Sequence, residues 1–300
     1  MAYKFKASDG SVQRAVRRIA REQIDGALHA IETKDRDTAR HEVRKACKKI
    51  RALVRLVRPA FSDYSSENAE YRDIARLLAG GRDARVLIDT FDKLTGNVSA
   101  DGDLADSPAV RKHLEQDLAC VEQGASAETH LHEARARLQK ARKRIASWQL
   151  DEEEWAALGP GLGKVLRRAR KARRKTSDDP APVQFHELRK RIKYHWYHAR
   201  LFKSVWPEMM KPRAAELSRA ADLLGLHHDI SVFEERLARL PADSGLAEPA
   251  GALLTVAMER RGELESEIAP LVGRLLAQEP GALVDHWRAL WCIWRAERAS

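Results

Sequence analysis

The chain has 300 residues, 44% of them hydrophobic, with a formal net charge of +10 and a pI near 9.6. That apolar content supports a packed core and excludes a disordered chain, while the basic excess favours nucleic acid, an anionic membrane or an acidic polymer as partner. Cys47, Cys120 and Cys292 are odd in number, far apart and without a CxxC pair, which excludes a zinc ribbon or redox motif and suits a reducing cytosol.

From the N-terminus onward, MAYKFKASDG has no apolar signal core, and no run of about 18 apolar residues follows, so no membrane span is expected. Nearly every later segment reads as helix. Ala, Leu, Arg, Glu and Lys dominate, apolar positions recur at three and four, and convincing β patterns are absent. The first helix carries Arg14, Arg17, Arg18 and Arg21, within an arc of roughly 100° on one face. The second, across residues 41–57, sets Val43, Ile50, Val54 and Val57 opposite His41, Arg44, Lys45, Lys48 and Arg55. Turn signals follow at Pro59, Gly80-Gly81, Gly96 and Gly102–Pro108.

A further break is expected at Gly159-Pro160-Gly161, before the third basic face, Lys164, Arg167, Arg168 and Lys171. The run from Gly159 to Lys164 resembles a phosphate loop but is one residue short. Val165 replaces the required Ser or Thr, and no strand precedes it, so a nucleotide P-loop is rejected. A helix N-terminus there would still offer free amides to an anion. The fourth face, His186, Arg189, Lys190 and Lys193, follows the Ser177–Pro182 break and leads to Arg200. His195 falls on a wheel face with Leu188, Ile192 and Phe202 and reads as core. His195 with His198, and His227-His228-Asp229, also have metal-compatible spacing. Asp83 and Asp229 are placed in matching turns after Leu-Leu runs, as helix N-caps or partners of a groove arginine. Breaks at Pro207, Pro241–Gly245 and Pro280-Gly281 bring the total to eleven or twelve helices. Trp287, Trp291 and Trp294 share one face of the last, with core packing and a homodimer contact as the alternatives.

An ordinary solvated helix face mixes acid and base four residues apart. The four basic sets are read as having no interleaved carboxylate, so the counter-charge must come from a polyanion. The chain also repeats. At an offset of 145 residues, His41, Glu42, Arg44, Lys45, Lys48, Arg55 and Leu56 fall on His186, Glu187, Arg189, Lys190, Lys193, Arg200 and Leu201. At 146, Leu77, Leu78, Asp83 and Val86 fall on Leu223, Leu224, Asp229 and Val232. Two halves, 1–150 and 151–300, are therefore expected as helical bundles about a pseudo-two-fold axis.

These residues resemble the CHAD family, the conserved histidine α-helical domain. The resemblance rests on HEVRKACKKIRALVRL from His41, FHELRKRIKYHWYHARLF from Phe185, the pair LLAGGRDARVL and LLGLHHDISVF, and RRIAREQIDGAL from Arg17. It covers essentially residues 1–300 as a single domain. It implies an all-α fold of two antiparallel bundles around a basic central groove that binds inorganic polyphosphate; the stripes themselves, with flanking cations that would repel a metal, are read as non-catalytic and without metal or cofactor. Other polyanions fall within that expectation. Carried over by position, the contacts are His41, Arg44, Lys45, Lys48, His186, Arg189, Lys190 and Lys193. Arg14, Arg17, Arg18, Arg21, Lys164, Arg167, Arg168 and Lys171 would complete the lining, with the matched pair Arg55 and Arg200. Trp196 and Tyr197 stand where the first half has Arg51 and Ala52, which makes the two walls unequal. Some relatives add a triphosphate-tunnel domain with an ExExK strand. Here the nearest run, Glu263/Glu265/Glu267, is helical in pattern and lacks the Lys, so a stand-alone form is expected, in the cytoplasm and at polyphosphate granules.

Two other functions compete. A nucleic-acid binder would fit the charge, yet no helix-turn-helix or RNA-recognition strand motif is present, and only Tyr194, Trp196 and Tyr197 lie near the stripes for base stacking. A polyphosphate-processing enzyme would need a metal-holding carboxylate cluster beside the phosphates, which the stripes lack. An anion beside the histidines would favour their charged form, so tighter binding is expected at about pH 6 than at about pH 8.

Overall fold

The structure, a computed structural model, describes residues 3–79, 82–96, 107–123, 127–240 and 245–297. Among these residues there are eleven α-helices and no strand. They are α1 (Val12–Thr33), α2 (Arg36–Leu56), α3 (Tyr64–Leu77), α4 (Arg82–Thr95), α5 (Ser107–Gln123), α6 (Ala127–Arg144), α7 (Glu154–Asp178), α8 (Pro182–Leu201), α9 (Pro207–Leu237), α10 (Ala247–Leu275) and α11 (Pro280–Ala296). The all-α class follows the sequence closely.

Local chemistry sets several starts. Ser11 Oγ accepts the Arg14 amide at α1, and the Asp35 carboxylate accepts the amides of Asp37 and Thr38 at α2. Proline opens α8, α9 and α11, where its missing N–H is not needed. The apolar faces then decide the packing. α1 lies on α2, and α7 on α8. α2 also meets α7 and α8, while α9 packs between α8 and α10. Helices α2 and α8 thus sit at the centre, with Ile50, Leu53, Leu56, Ile192 and Leu201 fully buried. His198 of α8 donates from Nε2 to the Ala52 carbonyl of α2 at 2.9 Å, and burial holds its pKa at about 4, so the imidazole is neutral there.

Two expectations about local structure are corrected, and one pair of alternatives is decided. The Gly159-Pro160-Gly161 run is not a break but lies within α7, whose first residue is Glu154. The amides near Lys164 are helix-interior, so they form no N-terminal anion site. These glycines serve close packing instead: a Cβ on Gly161 would lie 1.7 Å from the Leu56 carbonyl oxygen. Asp229 is interior to the unbroken α9 and caps nothing. Its counterpart Asp83 belongs to α4, but its side chain, with Gly80-Gly81 before it, lies outside the described residues. Finally, Trp287, Trp291 and Trp294 are 0%, 3% and 4% exposed, so they belong to the core and not to a dimer surface.

Their partners include Phe5 and Phe202, and Phe5 is tied by its amide to the Leu201 carbonyl at 2.9 Å. The N-terminal segment therefore runs alongside the end of α8. His195 is fully buried, stacks on Trp287 and accepts from Arg213, as a core histidine should. His227 Nε2 is satisfied by Glu265 at 2.9 Å. Among the described residues, no helix is long and apolar enough to cross a membrane, and no group of three or more His, Cys, Asp or Glu is placed to hold a metal.

Candidate anion-binding site

The charged faces of α2 and α8 meet across a cavity of about 430 Å³. From α2 come His41, Arg44, Lys45 and Lys48, and from α8 come His186, Arg189, Lys190, Lys193 and Arg200. The helical period explains the convergence, because residues three, four and seven apart point the same way while the opposite faces hold α1, α7 and α9. Arg44 Nη1 donates to the Ala75 carbonyl of α3 at 3.0 Å. Arg189 lies over Gly225 of α9, where a Cβ would come within 3.3 Å of its Nη2. Each arginine is thus steadied by the helix that follows its own.

Four lining residues fall outside the expected set: Arg51, Tyr194, Trp196 and Tyr197. Arg51 was readable, since it stands one heptad beyond Arg44. The aromatics hold cations in place. Lys193 and Arg200 lie 5.3 Å and 4.8 Å from the Trp196 ring centroid, and Arg55 lies 4.5 Å from that of Tyr194. Arg55 is set just past the cavity, with Nη2 on Asn68 Oδ1 at 3.0 Å.

The other two stripes do not line this cavity. On α1, Arg17 donates to the Trp148 carbonyl, and Arg18 pairs with Asp9 and Glu22 and donates to the Lys4 carbonyl. Those arginines fasten chain segments together, and Arg14 and Arg21 are exposed elsewhere. On α7 the stripe splits. Arg167 faces a groove against α11 that Val284 and Arg288 also line, and Lys171 is exposed. Arg168 and Lys164 instead join Arg55, Arg58 and Arg191 in a second cationic cluster. There burial and those neighbours push the Arg168 pKa down, and Arg58, burial, Arg168 and Arg167 push Lys164 down. Arg58 and Arg191 were not singled out in the sequence.

The absence of interleaved carboxylates is also corrected. Glu42 reaches Lys45 at 3.0 Å, and Glu187 reaches both Lys190 and Arg191. Each acid follows its histidine directly and reaches forward by one helical turn, to residues three or four positions on. They soften the positive field without cancelling it. Lys49, behind the cavity, is held down to about 8 by burial and by Arg200 and Lys45.

His186 sits with its Nδ1 3.2 Å from Nδ1 of His228. Burial, then Lys190 and Arg189, lower the His186 pKa, while burial and His186 take His228 to about 4. Both are neutral at pH 7, so one ring donates to the other.

The CHAD domain family matches residues 13–238, three quarters of the chain. The chain belongs to the CHAD family. That family is known for polyphosphate binding. No curated protein matches the sequence. Every lining residue of the α2–α8 cavity falls inside the CHAD match, which ends within the turn after α9 and leaves out α10, α11 and the first twelve residues.

A pH dependence follows from His186. Its folded pKa lies below the ordinary imidazole value, and a bound anion would raise it. Binding then takes up a proton. Affinity for an anionic ligand should rise as pH falls through the bound-state pKa and level off below the free-state value, by up to about tenfold per pH unit per proton. Titration of wild type and His186→Gln across this range checks it. The variant should show a flatter profile, and an identical profile would remove His186 from the effect.

Proposed function

We propose that this protein is a non-catalytic binder of inorganic polyphosphate, holding the chain in the α2–α8 cavity, in the cytoplasm and at polyphosphate granules. The observation that carries this reading is the convergence of eight sequence-matched residues, His41, Arg44, Lys45, Lys48, His186, Arg189, Lys190 and Lys193, on one cavity. Polyphosphate presents only charge and oxygen acceptors. Arginine offers a planar fork to two oxygens and lysine a mobile point charge, so this lining suits it.

The two halves, 1–150 and 151–300, are read as a duplication. Supporting this, Arg55 and Arg200, matched by the offset, make exchanged contacts: Arg55 lies on Tyr194, and Arg200 acts on Lys49, the residue matched to Tyr194. A non-catalytic role is supported by the lining of the cavity, which among the described residues holds no carboxylate, and by the flanking Glu42 and Glu187 being engaged by lysine and arginine. Nucleic acid fits less well, because Trp196 and Tyr194 already carry cations over their rings and Tyr197 is buried, so none of these three is a free stacking platform beside the cavity.

Calorimetric titration with medium-chain polyphosphate, duplex DNA and single-stranded DNA at equal charge concentration tests the proposal. Polyphosphate should bind tightly at physiological salt and displace DNA, whereas DNA should not displace polyphosphate. Equal affinity for all three polymers would mean a generic cationic surface. Phosphate release with added Mg²⁺ would overturn the non-catalytic part.

A further inference from the structure

A second cationic pocket, of about 460 Å³, lies beyond the end of α8 and is lined by Lys4, Lys6, Lys203, Lys211, Ser204 and Trp294 among others. Two of its lysines and Trp294 lie outside the 13–238 match, while Lys203, Ser204, Pro207 and Lys211 lie inside it. Of its four lysines, only Lys6 reaches a carboxylate among the described residues, Glu22 at 3.5 Å. Four lysines around one pocket concentrate positive charge, and among the described residues only Glu22 pairs with any of them. Ser204 Oγ on its wall is shielded from solvent and has no hydrogen-bond partner.

The pocket is also contiguous in chain with the α2–α8 cavity. Arg200 lines the cavity and Lys203, three residues on, lines the pocket. The N-terminal segment bridges the same two places. The Tyr3 ring lies 5.7 Å from the Arg200 guanidinium and T-stacks on Tyr197, a cavity residue, while the next residue, Lys4, faces the pocket. The Phe5 amide fixes this register on the Leu201 carbonyl at 2.9 Å. The pocket offers ammonium groups and no guanidinium fork. Mobile ammonium groups donate to phosphate oxygens in any register, which suits a chain passing through and not an end group held in one pose.

We propose that this lysine pocket is an extension subsite for linear polyphosphate, engaged by chains that outrun the cavity, and that it confers a preference for longer chains. The inference rests on the polyphosphate reading of the cavity.

The test compares tripolyphosphate with medium-chain polyphosphate on the full chain, using Lys4→Gln/Lys203→Gln/Lys211→Gln beside Lys4→Arg/Lys203→Arg/Lys211→Arg. The glutamine variant should bind the medium chain roughly tenfold more weakly at physiological salt, and its slope of log affinity against log salt should drop by about two to three. Tripolyphosphate affinity should stay unchanged, and the arginine variant should keep the wild-type preference. An unchanged medium-chain affinity and slope, or an equal loss for tripolyphosphate, would overturn the subsite. A cavity variant that still binds both ligands like wild type would instead sink the cavity reading, so the two failures are separable.

Discussion

Changing Arg44, Lys45, Arg189 and Lys190 together to alanine is expected to lower polyphosphate affinity roughly 100- to 1000-fold, with the fold intact. Each of the four lines the α2–α8 cavity, two from each wall. A solvent-screened ion pair contributes up to about 1 kcal/mol, so the four together account for about 3–4 kcal/mol, with counterion release included in that loss. The cost to folding should be small. Lys45 and Lys190 are more than two fifths exposed and pair with neighbouring glutamates on their own helices. Arg44 loses its bond to the Ala75 carbonyl, worth about 1 kcal/mol. Removing crowded like charges works the other way. Calorimetry gives the affinity and a thermal melt gives the fold. Unchanged affinity in a folded variant would reduce the cavity to an incidental basic surface.

Gly161→Ala should be the most damaging single substitution on the site's scaffold. The added Cβ would stand 1.7 Å from the Leu56 carbonyl oxygen, 2.5 Å from the Leu56 carbonyl carbon and 3.0 Å from the Arg55 carbonyl oxygen. These are backbone atoms, so no rotamer change relieves the overlap, and α7 must move off the end of α2. A loss of about 3 kcal/mol or more is expected, read as a lowered melting temperature or failure to fold. Gly262→Ala is the control: it lies inside α10, nothing stands within 4 Å of its Cβ, and it should stabilise by about 0.5–1 kcal/mol. Equal behaviour of the two variants would refute the packing argument.

The contrast shows what the sequence revealed and what it did not. The α2 and α8 faces were legible because helical phase alone puts His41, Arg44, Lys45 and Lys48 on one side, and the repeat pointed to their counterparts. Phase shows which residues share a face, not what that face meets. The α1 arginines have the same spacing, yet Arg18 is spent on Asp9, and Arg17 on the Trp148 carbonyl more than a hundred residues away. Gly159-Pro160-Gly161 reads locally as a turn, but the demand on Gly161 comes from Leu56, a neighbour that no local pattern encodes. Asp229 shows the same limit, since the Leu-Leu run before it continues as helix. Glu42 and Glu187 flank the charged faces and meet them at the three- and four-residue spacing of ordinary helix ion pairs, a signal the sequence did carry.

The mutual crowding of Lys164, Arg168, Arg55, Arg58 and Arg191, and of Lys49 with Arg200 and Lys45, gives dissolved ions two opposite effects. Screening eases the repulsion inside the empty protein and so firms it, while the same screening loosens its hold on an anionic chain. Under the proposed function, a rise in cellular ionic strength would therefore unload the protein without weakening it. A fall would draw the chain back in.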